Sequence, residues 1–164
     1  MAIVEKLKEY RPLIIIISII VFLTLLLQIK NGYNLDAMMY DMMGITFVVF
    51  GGIKLLRWGG FVEAFQMYDD VARRFYWWAV AYPFFEIGLG LLYWFRIMPV
   101  ATNIITILLT SLTTFSVVKE LRKNNPFPCA CLGAVFVLPM TWVTLVENMF
   151  VIGMALIMLA RMYF

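Results

Sequence analysis

The residues best suited to chemistry in this chain are two cysteines separated by one residue, Cys129 and Cys131. They stand in the stretch NNPFPCACLG, between a basic cluster and a long apolar run. As a redox pair, two thiols at this spacing close a small strained ring, and strained disulfides exchange readily. As thiolates they could instead bind Cu(I), Zn or Hg, although two ligands make an incomplete metal site. A third alternative is that both are inert, small apolar side chains.

Two carboxylates, Glu86 and Glu147, stand inside apolar runs, where an ionised group in a membrane is costly. We expect each to face the interior of a helical bundle. If the cysteines cycle between dithiol and disulfide, protons must move with the electrons, and these glutamates are the natural carriers. The predicted catalytic set is therefore Cys129, Cys131, Glu86 and Glu147. The alternative is that each glutamate hydrogen-bonds a neighbouring helix and fixes the packing.

Methionines form a second set of soft ligands near the start of the second apolar run. Met38, Met39, Met42 and Met43 recur at spacings that place them on one side of a helix. Thioethers suit a soft metal such as Cu(I), so a metal site made of the two cysteines with Met39 and Met43 is an alternative to redox chemistry. These methionines could equally fill gaps between helices.

Composition sets the class of protein. Of the 164 residues, 64% are hydrophobic and 14% are charged, far from the balance of a soluble domain. The net charge is only +3 and the basic residues lie between apolar runs, which argues against nucleic-acid binding. The chain contains no histidine, so we expect no haem. The sequence predicts an integral membrane protein with the lipid bilayer as its main partner.

Five apolar stretches are long enough to cross a bilayer. They cover residues of about 13–29, 37–56, 75–95, 98–118 and 140–160. The predicted fold is an all-α transmembrane bundle of five helices, forming one domain over residues 1–164. Residues 57–74 have apolar positions at helical spacing and predict an amphipathic helix on the membrane surface. Residues 126–139 are too few to cross and too apolar for a solvated loop, which predicts a re-entrant segment around the cysteines.

The basic residues predict an orientation. With five spans and a cytoplasmic N-terminus, ten basic residues lie inside and three outside, in agreement with the positive-inside rule. The inner set is Lys6, Lys8, Arg11, Lys54, Arg57, Arg73, Arg74, Lys119, Arg122 and Lys123. The outer set is Lys30, Arg96 and Arg161. We therefore expect a bacterial inner-membrane protein whose C-terminus is outside.

In several stretches the sequence resembles the methylamine-utilisation MauE family, relatives of the DoxX-like membrane proteins. The stretches are residues 44–56, 61–75, 81–94, 128–133 and 147–159. Three features carry the resemblance most specifically: a helix that ends Gly-x-x-Lys, a mid-helix glutamate followed by glycines, and a cysteine pair followed by a glycine. In this chain they are Gly51 and Lys54; Glu86, Gly88 and Gly90; and Cys129, Cys131 and Gly133.

The resemblance implies a four-helix DoxX-like core with one added N-terminal helix, associated with disulfide formation or electron transfer for exported proteins. A thioredoxin-like partner is implied, and quinone is a candidate cofactor. Two positions depart from the family pattern. Leu132 stands where an aromatic residue is common, and Glu147 with Asn148 stands where the family has an Arg-Asn pair, so an acid replaces a cation.

Three functions follow as hypotheses. The first is a membrane thiol–disulfide oxidoreductase or redox adaptor that uses the cysteine pair, with the two glutamates moving protons. The second is a soft-metal binding or transport protein that uses the cysteines and the methionine cluster. The third is a non-catalytic membrane scaffold.

Overall fold

The computed structural model describes residues 11–122 and 141–163, and these residues form helices joined by short turns, with no strand among them. The helices are α1 (Arg11–Asn31), α2 (Leu35–Leu56), α3 (Trp58–Tyr68), α4 (Asp70–Arg74), α5 (Tyr76–Trp94), α6 (Pro99–Arg122) and α7 (Thr141–Tyr163). The predicted all-α class is therefore confirmed. The predicted re-entrant segment around the cysteines lies outside the described residues.

Four of these helices are long and apolar enough to cross a membrane: α1, α2, α6 and α7. They match four of the five predicted spans, and the chain is a membrane protein. Helix α5 corresponds to the remaining predicted span and has 19 residues, among them Pro83 and Glu86, but it is not one of the four. A fifth crossing by α5 therefore stays a prediction.

The pairing of α2 with α5 is the most extensive helix contact in the described chain. Glycines allow the two backbones to come close, as small residues commonly do in membrane helices. A Cβ atom on Gly90 would lie 3.0 Å from the carbonyl oxygen of Gly44 and 3.0 Å from the amide nitrogen of Val48. A Cβ atom on Gly88, two residues earlier in the same helix, would meet nothing within 4 Å. The helix contact thus needs glycine at position 90, whereas position 88 has room for a side chain.

This difference gives a matched pair of substitutions. We expect Gly90→Ala to lower the free energy of unfolding by about 1–3 kcal/mol, because two backbones must separate to admit one methyl group. Gly88→Ala is expected to be neutral or to stabilise by up to about 1 kcal/mol, since alanine has the higher helix propensity. Denaturant unfolding in mild detergent measures both changes. Equal effects of the two substitutions would contradict the close contact at Gly90.

The prediction of one amphipathic helix on the membrane surface over residues 57–74 is wrong in two respects. Asp69 adopts an extended conformation that separates α3 from α4, and its Oδ1 accepts hydrogen bonds from the N–H groups of Val71 and Ala72 at 3.1 and 2.8 Å. The apolar side of α3 also packs on the protein instead of lipid, since Phe61 and Phe65 are each 1% exposed. Local capping overrides the helical periodicity, and the apolar side of α3 is covered by other helices of the bundle.

Ion pairs attach α4 to the last turns of α6. Lys119 Nζ lies 2.6 Å from Asp70 Oδ2, and Arg73 Nη2 lies 3.3 Å from Glu120 Oε1. Burial raises the pKa of the neighbouring Asp69 carboxyl, and the hydrogen bond from the Ala72 N–H acts in the opposite direction. These contacts fix α3 and α4 over the end of α6 from which the chain continues toward the cysteines.

Candidate functional site

A polar cavity lies inside the bundle where α2, α5, α6 and α7 meet, with α3 closing one side. Its volume, measured as the space open to the centre of a water molecule, is about 50 Å³. That is enough for a few waters, since one water needs roughly 10–15 Å³ on this measure. The polar and charged residues of its lining are Thr46, Lys54, Tyr68, Tyr82, Glu86, Thr110, Thr113, Thr144, Glu147 and Asn148.

The centre of the cavity is an ion pair between Lys54 of α2 and Glu86 of α5. The two side chains are only 11% and 8% exposed, and the ammonium donates a hydrogen bond to Glu86 Oε1. Taking two charges out of water is costly, and their mutual attraction offsets that cost only when the geometry is good. A pair held at such a depth is therefore sensitive to the loss of either partner.

Gly51 explains why Lys54 can reach Glu86. A Cβ atom on Gly51 would lie 3.2 Å from the carbonyl oxygen of Pro83 and 3.3 Å from Glu86 Cβ. Helix α2 thus touches α5 at the turn that carries the carboxylate, and Lys54 follows one turn later on the same side. In the Gly-x-x-Lys pattern, the glycine allows the two helices to approach, and the lysine one turn later can then reach the carboxylate on the neighbouring helix.

Two aromatic rings lie close to the ammonium of Lys54. Lys54 Nζ lies 5.6 Å from the ring centre of Phe61 and 5.2 Å from that of Tyr82. The rings of Phe65 and Tyr82 are themselves packed together, with centres 4.7 Å apart. A cation over the face of an aromatic ring is attracted by the ring quadrupole, which helps to hold a charged lysine in a dry site.

The structure brings Glu147 of α7 to the same cavity as Glu86. The two predicted glutamates are 61 residues apart in sequence, and their side chains line one space together with Lys54. The lining among the described residues therefore carries two carboxylates and one ammonium. The catalytic role of the glutamates stays a prediction.

Two buried polar atoms at this cavity have no hydrogen-bond partner among the described residues. They are Glu86 Oε2, an acceptor, and Asn148 Nδ2, a donor. Buried polar groups are normally paired, and an unpaired one has a free-energy cost. The cavity therefore offers one acceptor and one donor to a polar molecule or group that enters it.

Helix α6 contributes a stripe of hydroxyl groups to the interior. Asn103 and Thr106 are fully buried, and both lie within hydrogen-bond distance of the Tyr93 hydroxyl group. The hydroxyl oxygen is 2.9 Å from Asn103 Oδ1 and 3.1 Å from Thr106 Oγ1. Thr110 and Thr113 continue the stripe to the cavity wall. The polar face of α6 thus looks inward, where it satisfies side chains of α5.

Sequence reasoning missed the role of Lys54. From the sequence, Lys54 stands near the end of the second span and counts only as an inner basic residue, whereas the structure buries it against Glu86. The count therefore becomes nine basic residues inside against three outside. The available signal was the position of Lys54, which stands inside the predicted span 37–56 and one helical turn after Gly51. A basic residue in such a position indicates a buried partner.

Cys129 and Cys131 lie outside the described residues. The chain leaves the described part at Arg122 and returns at Thr141. Both flanking helices line the cavity close to those ends, α6 through Val117 and α7 through Thr144. The segment that carries the cysteines therefore begins and ends within about two helical turns of the cavity.

The predicted methionine ligands Met39 and Met43 are buried in an apolar cluster with Phe47, Tyr93 and other residues of α2, α5 and α7. Met39 lies near the start of α2, beside the end of α7. The cavity and the ends of the described chain at residues 122 and 141 lie toward the other end of α7. A metal site shared by these methionines and the cysteines stays a prediction.

The sequence profile described as methylamine utilisation protein MauE matches residues 11–161. Lys54, Glu86, Glu147, Cys129 and Cys131 all lie within the matched range. No significant match was found among curated proteins or solved structures. The profile covers most of the chain, and the protein belongs to the MauE family of membrane proteins.

Proposed function

We propose that this protein is a membrane thiol–disulfide redox protein in which Cys129 and Cys131 form and release a disulfide. The observation that carries the proposal is the cavity in which Lys54, Glu86 and Glu147 meet, next to both ends of the segment that holds the cysteines. Closing the disulfide releases two electrons and two protons. The electrons pass to an acceptor of the quinone class or to a thioredoxin-like partner, and the protons need a path through a low-dielectric bundle.

The charge balance of the cavity suits the transfer of a proton. With all three groups ionised, the cavity carries a net charge of −1, and one added proton brings it to zero. In both the deprotonated and the protonated state, the positive charge of Lys54 balances one carboxylate. The bundle therefore holds at most one uncompensated charge. The unpaired Glu86 Oε2 can accept a proton, and the unpaired Asn148 Nδ2 can donate a hydrogen bond that holds a water molecule or carboxylate in place.

The length of the intervening chain allows the cysteines to reach this cavity. Cys129 is seven residues after Arg122, and Cys131 is ten residues before Thr141. An extended chain covers roughly 3.3 Å per residue, so either arm can span about 20 Å or more. The thiols can therefore approach the carboxylates that would accept their protons.

The proposed placement is a bacterial inner membrane, with α5 as a fifth crossing, the N-terminus in the cytoplasm and the C-terminus outside. The charge distribution supports it, because nine basic residues would lie inside and three outside. In this arrangement the segment of the cysteines enters from the cytoplasmic side, where thiols are normally reduced. Access to the thiols from each side of the membrane is thus an informative measurement.

The redox state of the cysteine pair tests the proposal. We expect mass spectrometry after alkylation to show an intramolecular Cys129–Cys131 disulfide in oxidised protein and two alkylated thiols after reduction. Cys129→Ser and Cys131→Ser are each expected to abolish disulfide transfer to a reduced client peptide. An impermeant thiol reagent, applied to right-side-out and inverted vesicles, shows which face reaches the pair. A pair that stays reduced under oxidant would contradict the proposal, and a Cys131→Ser variant with full activity would do the same.

A further inference from the structure

A second cavity lies at the other end of the bundle, between the start of α2 and the end of α7. It has a volume of about 240 Å³ and is lined by Asp36, Met39, Tyr40, Met158, Arg161 and Met162. Three of these six residues are methionines contributed by two helices. The side chains of these three methionines form part of the wall of a partly open space, and thioethers are ligands that soft metals prefer.

The register of the two helices explains why the three methionines line one cavity. Met158 and Met162 are four residues apart and therefore lie one above the other on the same side of α7. Met39 faces them from the second turn of α2. Met39 and Met158 are 6% and 2% exposed, so their positions are set by packing and not by solvent. Methionine side chains are flexible enough for three sulfur atoms to close on a single ion.

The charged residues of this cavity disfavour a hard cation. Asp36 is the one carboxylate in the described lining, and its Oδ1 lies 2.6 Å from Arg161 Nε. A Ca²⁺ or Mg²⁺ ion would need several oxygen ligands and would have to displace the guanidinium. A soft monovalent ion uses the sulfur atoms and leaves the ion pair intact, because thioethers favour Cu(I).

The mouth of the cavity is open to an entering ion. Asp36 and Arg161 are about half exposed, so the ion pair stands at the edge of the bundle and the methionines lie behind it. One wall is rigid, since the Tyr40 ring contacts both the Tyr93 ring and the Arg96 guanidinium. An ion that passes the pair therefore meets a space whose wall includes three methionine side chains.

We propose that Met39, Met158 and Met162 form a binding site for Cu(I). The site is separate from the proposed redox centre. Met158 is 11 residues along α7 from Glu147 of the first cavity, or about 16 Å at 1.5 Å per residue. It differs from the predicted metal site of the cysteines with Met39 and Met43, because it needs no thiol.

The test uses the full chain in detergent with both cysteines replaced, Cys129→Ser and Cys131→Ser, so that thiols cannot bind the metal. Cu(I) is titrated under reducing conditions against a chromophoric chelator, and Ag(I) serves as a redox-inert second probe. We expect one equivalent of Cu(I) to be retained and X-ray absorption to show sulfur ligands. Each of Met39→Leu, Met158→Leu and Met162→Leu is expected to weaken binding at least about tenfold, since each removes one ligand, and the triple variant should retain none.

Two methionines act as matched controls. Met43→Leu alters the same buried cluster without touching the cavity, and Met149→Leu alters an exposed position of α7. Both are expected to bind Cu(I) as the parent does, and thermal unfolding verifies that every variant is folded. Failure of the cysteine-free protein to retain Cu(I) would overturn the proposal, and so would binding that survives in the triple variant or is lost equally in the controls. None of these outcomes bears on the disulfide chemistry of the cysteine pair.

Discussion

We expect Lys54→Met to lower the free energy of unfolding by about 3–5 kcal/mol, because it leaves the Glu86 carboxyl group buried without its cation. The long methionine side chain keeps most of the volume, so the expected loss is electrostatic and not a cavity effect. Denaturant unfolding in mild detergent measures it. The loss is large compared with the total stability of a domain, which is typically about 5–15 kcal/mol.

The double variant Lys54→Met with Glu86→Gln shows whether the loss comes from the unpaired charge of Glu86 or from poorer packing around residue 54. If the cost comes from an unpaired buried charge, removal of the second charge should restore much of the stability, since replacing both partners of a buried pair is often close to neutral. The control is Lys119→Met, which breaks the half-exposed pair with Asp70 and should cost about 1 kcal/mol or less. Equal losses in Lys54→Met and Lys119→Met would contradict the buried pair, as would a double variant no more stable than the single one.

Glu147→Gln is expected to slow disulfide formation at the cysteine pair by about 10²–10⁴-fold, the range over which a positioned proton carrier typically contributes. The amide keeps the shape of the side chain and removes its ability to gain and lose a proton. The rate is measured by quenching the oxidation of reduced protein with an alkylating reagent. We expect the fold and the final extent of oxidation to be unchanged.

The control for this experiment is Glu63→Gln, which alters an exposed carboxylate on α3. Its oxidation rate should equal that of the parent. A Glu147→Gln variant that oxidises at the parent rate would show that protons leave by another route, and it would remove the carrier role of Glu147 without affecting that of the cysteines. A slow rate that recovers with added small carboxylic acids would instead strengthen the assignment.

The Lys54–Glu86 pair shows how far the sequence could be interpreted. A carboxylate within an apolar run must find a partner, and that rule alone placed Glu86 in the interior. The identity of the partner could not be read from the sequence, because it depends on where α2 crosses α5. The crossing is set by close backbone contacts at Gly44, Gly51 and Gly90, and such contacts exist only between elements.

Residues 57–74 show the opposite case. The helical spacing of their apolar residues was recognised correctly, but the surface that covers those residues was predicted to be lipid and is protein. The spacing of Phe61 and Phe65 correctly indicated one apolar side of a helix. The pattern does not distinguish lipid from protein as the covering surface, because both are apolar. The break at Asp69 was also missed. The aspartate side chain accepts hydrogen bonds from the N–H groups of Val71 and Ala72, so it ends α3 and begins α4.

The sequence by itself determined that this is an all-α membrane protein, that it resembles the MauE family, and that Glu86 and Glu147 are the costly buried groups. The fold class and the cost of the two glutamates follow from composition, from the length of apolar runs and from the free-energy cost of charge in a membrane, which are properties of single segments. The resemblance follows from short motifs such as Gly-x-x-Lys and the cysteine pair. Only the tertiary structure decided that Lys54 pairs with Glu86, that Glu147 joins them in one cavity, and that three methionines line another. Each of these depends on the register between helices, which is set by the shape of side chains in contact and not by the pattern of any one segment.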